Sequence, residues 1–328
     1  MAKARVTGIG SYLPERVLTN QDLEKMVETT DEWIVTRTGM KERRIARADE
    51  YTSDLATAAG KKALERAGIT PEQVDLIIVS TVTPDYITPN TASIVQYKLG
   101  AARAAAFSLE LACTGLVAGL SIAKAYIESG TYHHVLVIAA DKLSSITDYT
   151  DKKTCVLFGD GAAALLVSGS GLGLFLHGVT LGSDGEQSSL LMVPAGGSHE
   201  PVSEESVRLR RHYLRMEGQE VFKHAVRRME AACQASLDAA GLTPQDISWL
   251  VPHQANLRIT EGLGKRFDID PAKVVSTLHR YGNTSASGMG IALDELLQEK
   301  SLRPGENILM VAFGGGFAWG ACTLTQGS

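Results

Sequence analysis

Apolar residues fall along this chain in two rhythms. Short unbroken runs, such as VDLIIVSTV, HHVLVIAA and GAAALLVSG, read as strands buried on both faces. Between them lie segments with apolar positions three and four apart, the spacing of amphipathic helices. ARVTGIGSYLP, from Ala4 to Pro14, predicts a strand ending in a turn. TNQDLEKMV predicts a short helix capped by Thr19 or Asn20. The stretch from Thr52 to Gly68 predicts a longer helix, capped by Thr52 or Ser53 and stopped by Gly68. VDLIIVSTVTPD is a strand, TASIVQYKLG a helix and AAAFSLEL a strand that runs into the small-residue helix TGLVAGLSIAKAYIESG. HHVLVIAADKLS is a further strand, and TCVLFGDGAAALLVSGS another, broken by Gly159 and Gly161.

The second half repeats the first. AGITPEQVDLIIVSTVTPD, from Ala67, aligns with AGLTPQDISWLVPHQAN, from Ala240. At the same offset VLVIAADKLS, from Val135, aligns with ILMVAFGGGF, from Ile308. LGLFLHGVTLGSDGE echoes the opening strand, and the CTGLVAGL helix has a counterpart in NTSASGMGIALDELLQEK. The pattern predicts an α/β protein built from a duplicated βα unit, with halves at 1–174 and 175–328 and sheets covered on both faces. If the halves pack about a pseudo-twofold axis, equivalent loops converge.

Composition narrows the function. The 328 residues are enough for two core-bearing units, and a net charge of -5 argues against nucleic acid as a partner. No apolar run is long enough to span a bilayer, and MAKARVTGIG lacks a signal-peptide core. The four cysteines are far apart, with neither metal-ligand spacing nor a disulfide framework, so a reducing, cytoplasmic setting is expected and no metal.

One of those cysteines carries chemistry. Cys113 stands where a strand ends and a helix begins, and the positive end of the helix favours its thiolate. The alternative is a small buried apolar side chain. The repeat supplies companions: Asn283 in YGNTSAS and His253 in VPHQANLRI occupy equivalent strand-to-helix turns. Cysteine with histidine suits nucleophilic acyl transfer, and an asparagine amide can stabilise an oxyanion without adding charge. FGGGF, Phe313 to Phe317, ends the strand equivalent to VLVIAA; its glycines permit close backbone approach to a ligand or simply make a turn.

ACTGL, VPHQANLRI, YGNTSA and FGGGFAWG, in this order, resemble the β-ketoacyl-acyl-carrier-protein synthase III family of thiolase-fold condensing enzymes. The resemblance extends to TTDEWIVTRTGMKERRI, TCVLFGDGA and MEGQEVFKHAV, nearly end to end. It implies a five-layered αβαβα sandwich. It also implies an acyl-CoA primer carried on Cys113, then decarboxylation of malonyl-acyl carrier protein and condensation to a β-ketoacyl product. The N–H groups of Cys113 and Gly315 match the family's oxyanion hole, and His253 and Asn283 match its enolate donors. Acyl-CoA and malonyl-acyl carrier protein are substrates, and no cofactor is implied.

Further positions carry over from the same resemblance. Trp33, Arg37, Lys152 and Asn256 match contacts to CoA and its pantetheine arm, with Lys152 where many relatives have arginine. Phe313 matches an aromatic beside the nucleophile. Lys223 and Arg258 match the basic patch for acyl carrier protein, and RLRRHYLR and KHAVRR add charge nearby. Leu111, Leu116 and Ala163 depart from the family pattern. So does Thr88, where many relatives carry phenylalanine against the acyl pocket of the second subunit of a homodimer; a threonine there implies room for primers larger than acetyl. The leading expectation is the initiating enzyme of type II fatty acid synthesis. A paralogue of a polyketide or alkylquinolone pathway and a non-catalytic partner subunit are the alternatives.

Overall fold

The computed structural model describes residues 2–327. Nine strands form one sheet: β1 (Arg5–Tyr12), β2 (Leu76–Ser80), β3 (Ala105–Leu109), β4 (His134–Asp141), β5 (Gly161–Ser168), β6 (Leu174–Ser183), β7 (Ile247–Pro252), β8 (Asn307–Gly314) and β9 (Ala318–Gln326). Their order is β7-β8-β9-β6-β1-β5-β4-β2-β3. The order divides in the middle. β1 and β6 are joined by only two residue pairs, Arg5 with Phe175 and Val6 with Leu174, whereas their other neighbours pair along most of their lengths. On one side β2 runs parallel to β4, which pairs antiparallel with β5; on the other β7 runs parallel to β8, which pairs antiparallel with β9. β3 has a full parallel pairing with β2, while the matching edge of β7 carries only an isolated bridge between Leu250 and Val274.

Seven helices of eight residues or more pack on these strands: α1 (Asp31–Thr38), α2 (Thr52–Ala67), α3 (Thr91–Leu99), α4 (Gly115–Glu128), α5 (Gly218–Ala240), α6 (Leu257–Arg266) and α7 (Ser287–Glu299). The layers follow from strand alternation. In β4, Val135, Val137 and Ala139 face a central core while Leu136, Ile138 and Ala140 face an outer one. In β8, Ile308, Met310 and Ala312 face the same central core, and Leu309, Val311 and Phe313 a different outer one. Leu116 and Leu120 of α4 and Met289 and Leu293 of α7 fill the centre between the two sets of strands. α2 and α3 cover one outside face and α5 and α6 the other. That is five layers, αβαβα. Truncating a wholly buried central side chain such as Leu120 to alanine is expected to cost about 2–5 kcal/mol.

Two local expectations change. The N-cap of α2 is Tyr51, one residue before Thr52; the backbone N–H of Tyr51 donates to the Asp54 carboxylate at 2.9 Å, and Ser53 instead donates to Asp85. TCVLFGDG is a turn and not the start of a strand, for β5 begins at Gly161. Its apolar residues Cys155, Val156 and Phe158 are all buried, the first two beneath the Glu42–Ile45 strand and α1, so burial without ladder pairing produced the strand-like pattern. Thr19 caps its helix as expected, accepting from the Asp22 N–H.

Candidate active site

Cys113, His253, Asn283 and Phe313 line one cavity of about 430 Å³, and so do Gly314, Gly315 and Gly316. The strand-to-helix turns that the repeat made equivalent do meet. Cys113 sits in a 3-10 turn, Ala112–Thr114, just ahead of α4. Ala112 holds φ at +42°, a left-handed conformation that a side chain adopts at a cost. The turn is pinned from the other half by Thr114, whose hydroxyl donates to the Ala318 carbonyl at 3.1 Å. Gly314 presses on it directly: a Cβ at that position would lie 2.7 Å from the Cys113 backbone nitrogen.

The helix field does not decide the protonation of the resting thiol. Burial, reinforced by the Asp141 carboxylate, pushes Cys113 up to about 12, against a hydrogen bond from the Ser285 hydroxyl. Cys113 is therefore a neutral thiol at rest. Asp141 is itself buried and raised to about 6, although the Val82 N–H and the Thr81 and Thr83 hydroxyls donate to it.

His253 follows β7, and its N–H donates to the Val311 carbonyl at 2.8 Å. Burial depresses the imidazole to about 4, so it is neutral at pH 7. Its Nδ1 is buried without a hydrogen-bond partner among the described residues. Asn283 is fixed at both ends of its backbone: its N–H donates to the Leu157 carbonyl at 2.8 Å, and its carbonyl accepts from Gly159 at 3.0 Å. Its Oδ1 accepts the Ser285 N–H at 2.8 Å. The cavity thus offers neutral donors and no cation, a setting suited to charge that exists only in a transition state.

The residues expected to meet CoA form a second cluster. The Arg37 guanidinium lies 4.7 Å from the Trp33 ring centroid and the Lys152 ammonium 6.0 Å. Asn256 donates to the Arg37 carbonyl at 3.1 Å and caps α6 through Arg258 N–H. Ala255, the preceding residue, is in the cavity wall, so this cluster begins one residue from it. α5 and α6 each present one face to the cavity, through Val221, Ala225 and Met229 and through Ile259, while Lys223 and Arg258 are exposed. Lys223 pairs with Glu220, and Arg258 donates to the Thr36 carbonyl at 3.2 Å.

Thr88 lies outside this chain's cavity, on an exposed loop beside Tyr86 and Ile87. The arginines of RLRRHYLR are partly engaged internally: Arg210 pairs with Asp148 and Arg211 with Glu200. Sequence reasoning missed Ser285, whose φ of +57° aims it into the site, and the segment pair Leu191–Met192 and Arg215–Met216, which adds apolar wall. Ser285 had a signal, two residues after Asn283; the wall segments had none.

A five-layered duplicated fold with a cysteine, a neutral histidine and an asparagine in one cavity defines a thiolase-fold condensing enzyme. The comparisons with known proteins specify the branch. Residues 107–185 match the family described as 3-Oxoacyl-[acyl-carrier-protein (ACP)] synthase III, and residues 237–326 match its C-terminal family. The chain is 55% identical over 325 residues to beta-ketoacyl-[acyl-carrier-protein] synthase III of Chlamydia pneumoniae, covering 99% of this chain and 97% of that one. It is 52% identical to the protein of the same name from Caldanaerobacter subterraneus, covering 98% and 97%. The crystal structure of 3-oxoacyl-[acyl-carrier-protein] synthase III from Aquifex aeolicus superposes with a TM-score of 0.90 at 44% identity, covering 98% of this chain and 99% of that one. The chain belongs to the β-ketoacyl-acyl-carrier-protein synthase III family and is an acyltransferase of the condensing type.

Proposed function

We propose that this protein initiates type II fatty acid synthesis by decarboxylative Claisen condensation of an acyl-CoA with malonyl-acyl carrier protein. The observation that carries the reading is the shared cavity of Cys113, His253 and Asn283. Cys113 attacks the primer thioester; the thiol proton leaves with CoA, so the exchange is balanced and needs no metal or organic cofactor. The N–H groups of Cys113 and Gly315 stabilise the tetrahedral oxyanion. The Gly315 N–H makes no backbone hydrogen bond among the described residues. Malonyl-acyl carrier protein then loses CO2. The enolate oxygen is held by one N–H of neutral His253 and by the Asn283 amide, and its carbon attacks the acyl group. Cys113 departs as thiolate and takes up one proton.

Trp33, Arg37, Lys152 and Asn256 hold the nucleotide and pantetheine of CoA, and Lys223 and Arg258 dock the carrier protein. Phe313 and, from a second subunit, Thr88 bound the acyl group. A homodimer is part of this reading, supported by the exposed apolar loop at Tyr86 and Ile87. Residues 1–174 form the half with the nucleophile and 175–328 the half with His253 and Asn283. No helix among the described residues is long and apolar enough to cross a membrane, which accords with a cytoplasmic enzyme. The high-identity relatives favour neither a specialised polyketide or alkylquinolone paralogue nor a non-catalytic subunit.

The test is intact-mass analysis after incubation with mixed acyl-CoAs. An acyl adduct on Cys113, absent from Cys113→Ala, supports the reading. β-Ketoacyl product from Cys113→Ala at the wild-type rate rejects it.

A further inference from the structure

Arg43 has the largest of the fully buried side chains, and it has no carboxylate partner among the described residues. Its Nη1 donates to the Leu18 carbonyl at 3.1 Å and to Asn20 Oδ1 at 2.9 Å. Its Nη2 donates to the Val156 carbonyl at 2.7 Å, and its Nε is buried and unpaired. An arginine held only by neutral acceptors is costly to bury, and replacing it with an apolar side chain would relieve that cost. Burial lowers its pKa only to about 10, so the guanidinium keeps its charge at pH 7.

Its third acceptor belongs to the turn that holds Asn283. One residue beyond Val156 the Leu157 carbonyl takes the Asn283 N–H, and Gly159 N–H returns to the Asn283 carbonyl. The stem of Arg43 fills the space on either side. A Cβ at Gly159 would stand 3.0 Å from Arg43 Cβ, and one at Gly282, the residue before Asn283, 3.3 Å. The same turn is fastened at its far end, where Asp160 N–H donates to the Arg44 carbonyl and the Asp160 carboxylate accepts from Ala46 and Ser144.

We propose that Arg43 is a positioning residue for the condensation step: through Val156 it braces the 156–159 turn, which fixes the backbone of Asn283 and so the direction of its amide. The inference rests on Asn283 being an enolate donor. It sets Arg43 apart from the machinery of Cys113, whose turn is fastened instead by Thr114 and Gly314. Disturbing Arg43 should therefore separate the two half-reactions. Lysine keeps the charge but cannot reach Leu18, Asn20 and Val156 together.

The experiment compares Arg43→Lys, Arg43→Met and Asn283→Ala with wild type. Acylation is read by intact mass of acyl-Cys113, and decarboxylation by CO2 release from malonyl-acyl carrier protein. Both Arg43 variants should lose at least about tenfold in decarboxylation while acylation stays within about twofold, with Arg43→Lys the milder. Loss of both steps in proportion, with a lowered Tm, would reduce Arg43 to a structural residue and overturn the proposal. So would Arg43 variants with wild-type decarboxylation beside a crippled Asn283→Ala. If Asn283→Ala itself decarboxylates normally, the underlying reading fails and the proposal with it. Should Arg43 variants not fold, Asn20→Ala, which removes one acceptor, must show the same step-selective loss in smaller degree; an unselective loss overturns the proposal.

Discussion

The side-chain oxygen of Asn283 accepts the Ser285 N–H at 2.8 Å. That bond settles which end of the amide faces which way, because the oxygen is spent on a backbone donor and the NH2 is left for a ligand. Asn283→Asp would keep the acceptor and replace the free donor with a carboxylate oxygen facing a developing enolate. Condensation should fall by about 10² or more, the scale of losing one oxyanion donor, while acylation of Cys113 persists. Separate assays of the two half-reactions check this; an aspartate variant with near-wild-type condensation would remove Asn283 from the enolate site.

His253 gives a pH signature. Its folded pKa, about 4, lies below the ordinary histidine value of 6.5. The unfolded chain therefore binds the proton first, and the stability from the neutral buried ring is present above pH 6.5 and lost as pH falls towards 4. A displacement of that size is worth about 3 kcal/mol. Asp141, raised to about 6, acts in the opposite sense, losing its contribution as pH rises through that value. The His253 effect is thus read as a difference: in denaturant melts the stability of wild type relative to His253→Gln should fall as pH drops from about 6.5 to about 4.5. Parallel profiles would mean that His253 is not buried neutral.

Gly314→Ala tests how closely the strand end must approach the nucleophile. The added methyl would meet the Cys113 nitrogen at 2.7 Å and its Cβ at 3.1 Å, both on a rigid turn. Overpacking of this kind costs about 1–3 kcal/mol of stability. The larger effect should be on acylation, by about tenfold or more, since the Cys113 and Gly315 N–H groups proposed as the oxyanion hole flank the displaced atoms. A folded variant that forms acyl-Cys113 at the normal rate would show that the approach is incidental.

These effects divide between what the chain displays and what it conceals. The buried strands and the repeat were legible because a strand covered on both faces must be continuously apolar, and two such sets at one offset imply two similar half-units. Cys113, His253 and Asn283 were legible because each sits at a strand-to-helix turn that the repeat brings to one place. The state of Cys113 was not. A helix N-terminus can be read from sequence, but the burial that outweighs it depends on β8 and the Ser285 turn arriving from the other half. Arg43 was concealed for the converse reason. In KERRIA it is one of four consecutive charged residues, and only the fold shows it wholly buried beside Gly159 and Gly282. TCVLFGDG misled because burial alone, without ladder pairing, produces the apolar run of a strand.

The Trp33 cluster predicts a change in binding rather than in chemistry. Arg37 and Lys152 already lie over the Trp33 ring, so the indole is a platform with cations at hand for a phosphorylated, planar ligand. Trp33→Ala should raise KM for acyl-CoA by about tenfold, a cost of one stacked aromatic contact, with kcat little changed. Equal KM values in variant and wild type would place the nucleotide elsewhere.

Thr88 carries the remaining prediction, and its position makes the test sharp. The residue is exposed and does not line the cavity of its own chain, so a substitution there has no route to this chain's acyl group from within the subunit. In a homodimer that seats the Tyr86–Thr88 loop against the neighbouring cavity, side-chain volume at position 88 limits the primer. Thr88→Phe should then depress turnover of isobutyryl- and octanoyl-CoA while leaving acetyl-CoA within about twofold. Excluding a poorly fitting methylene or two is worth about 10–200-fold in kcat/KM. Sedimentation of the variant must show the dimer intact, since loss of assembly would depress all primers together. An unchanged primer spectrum in a dimeric Thr88→Phe enzyme would assign chain-length selection to the cavity's own apolar wall, around Leu191 and Met216. Strict acetyl preference in the wild type would show that threonine leaves no extra room.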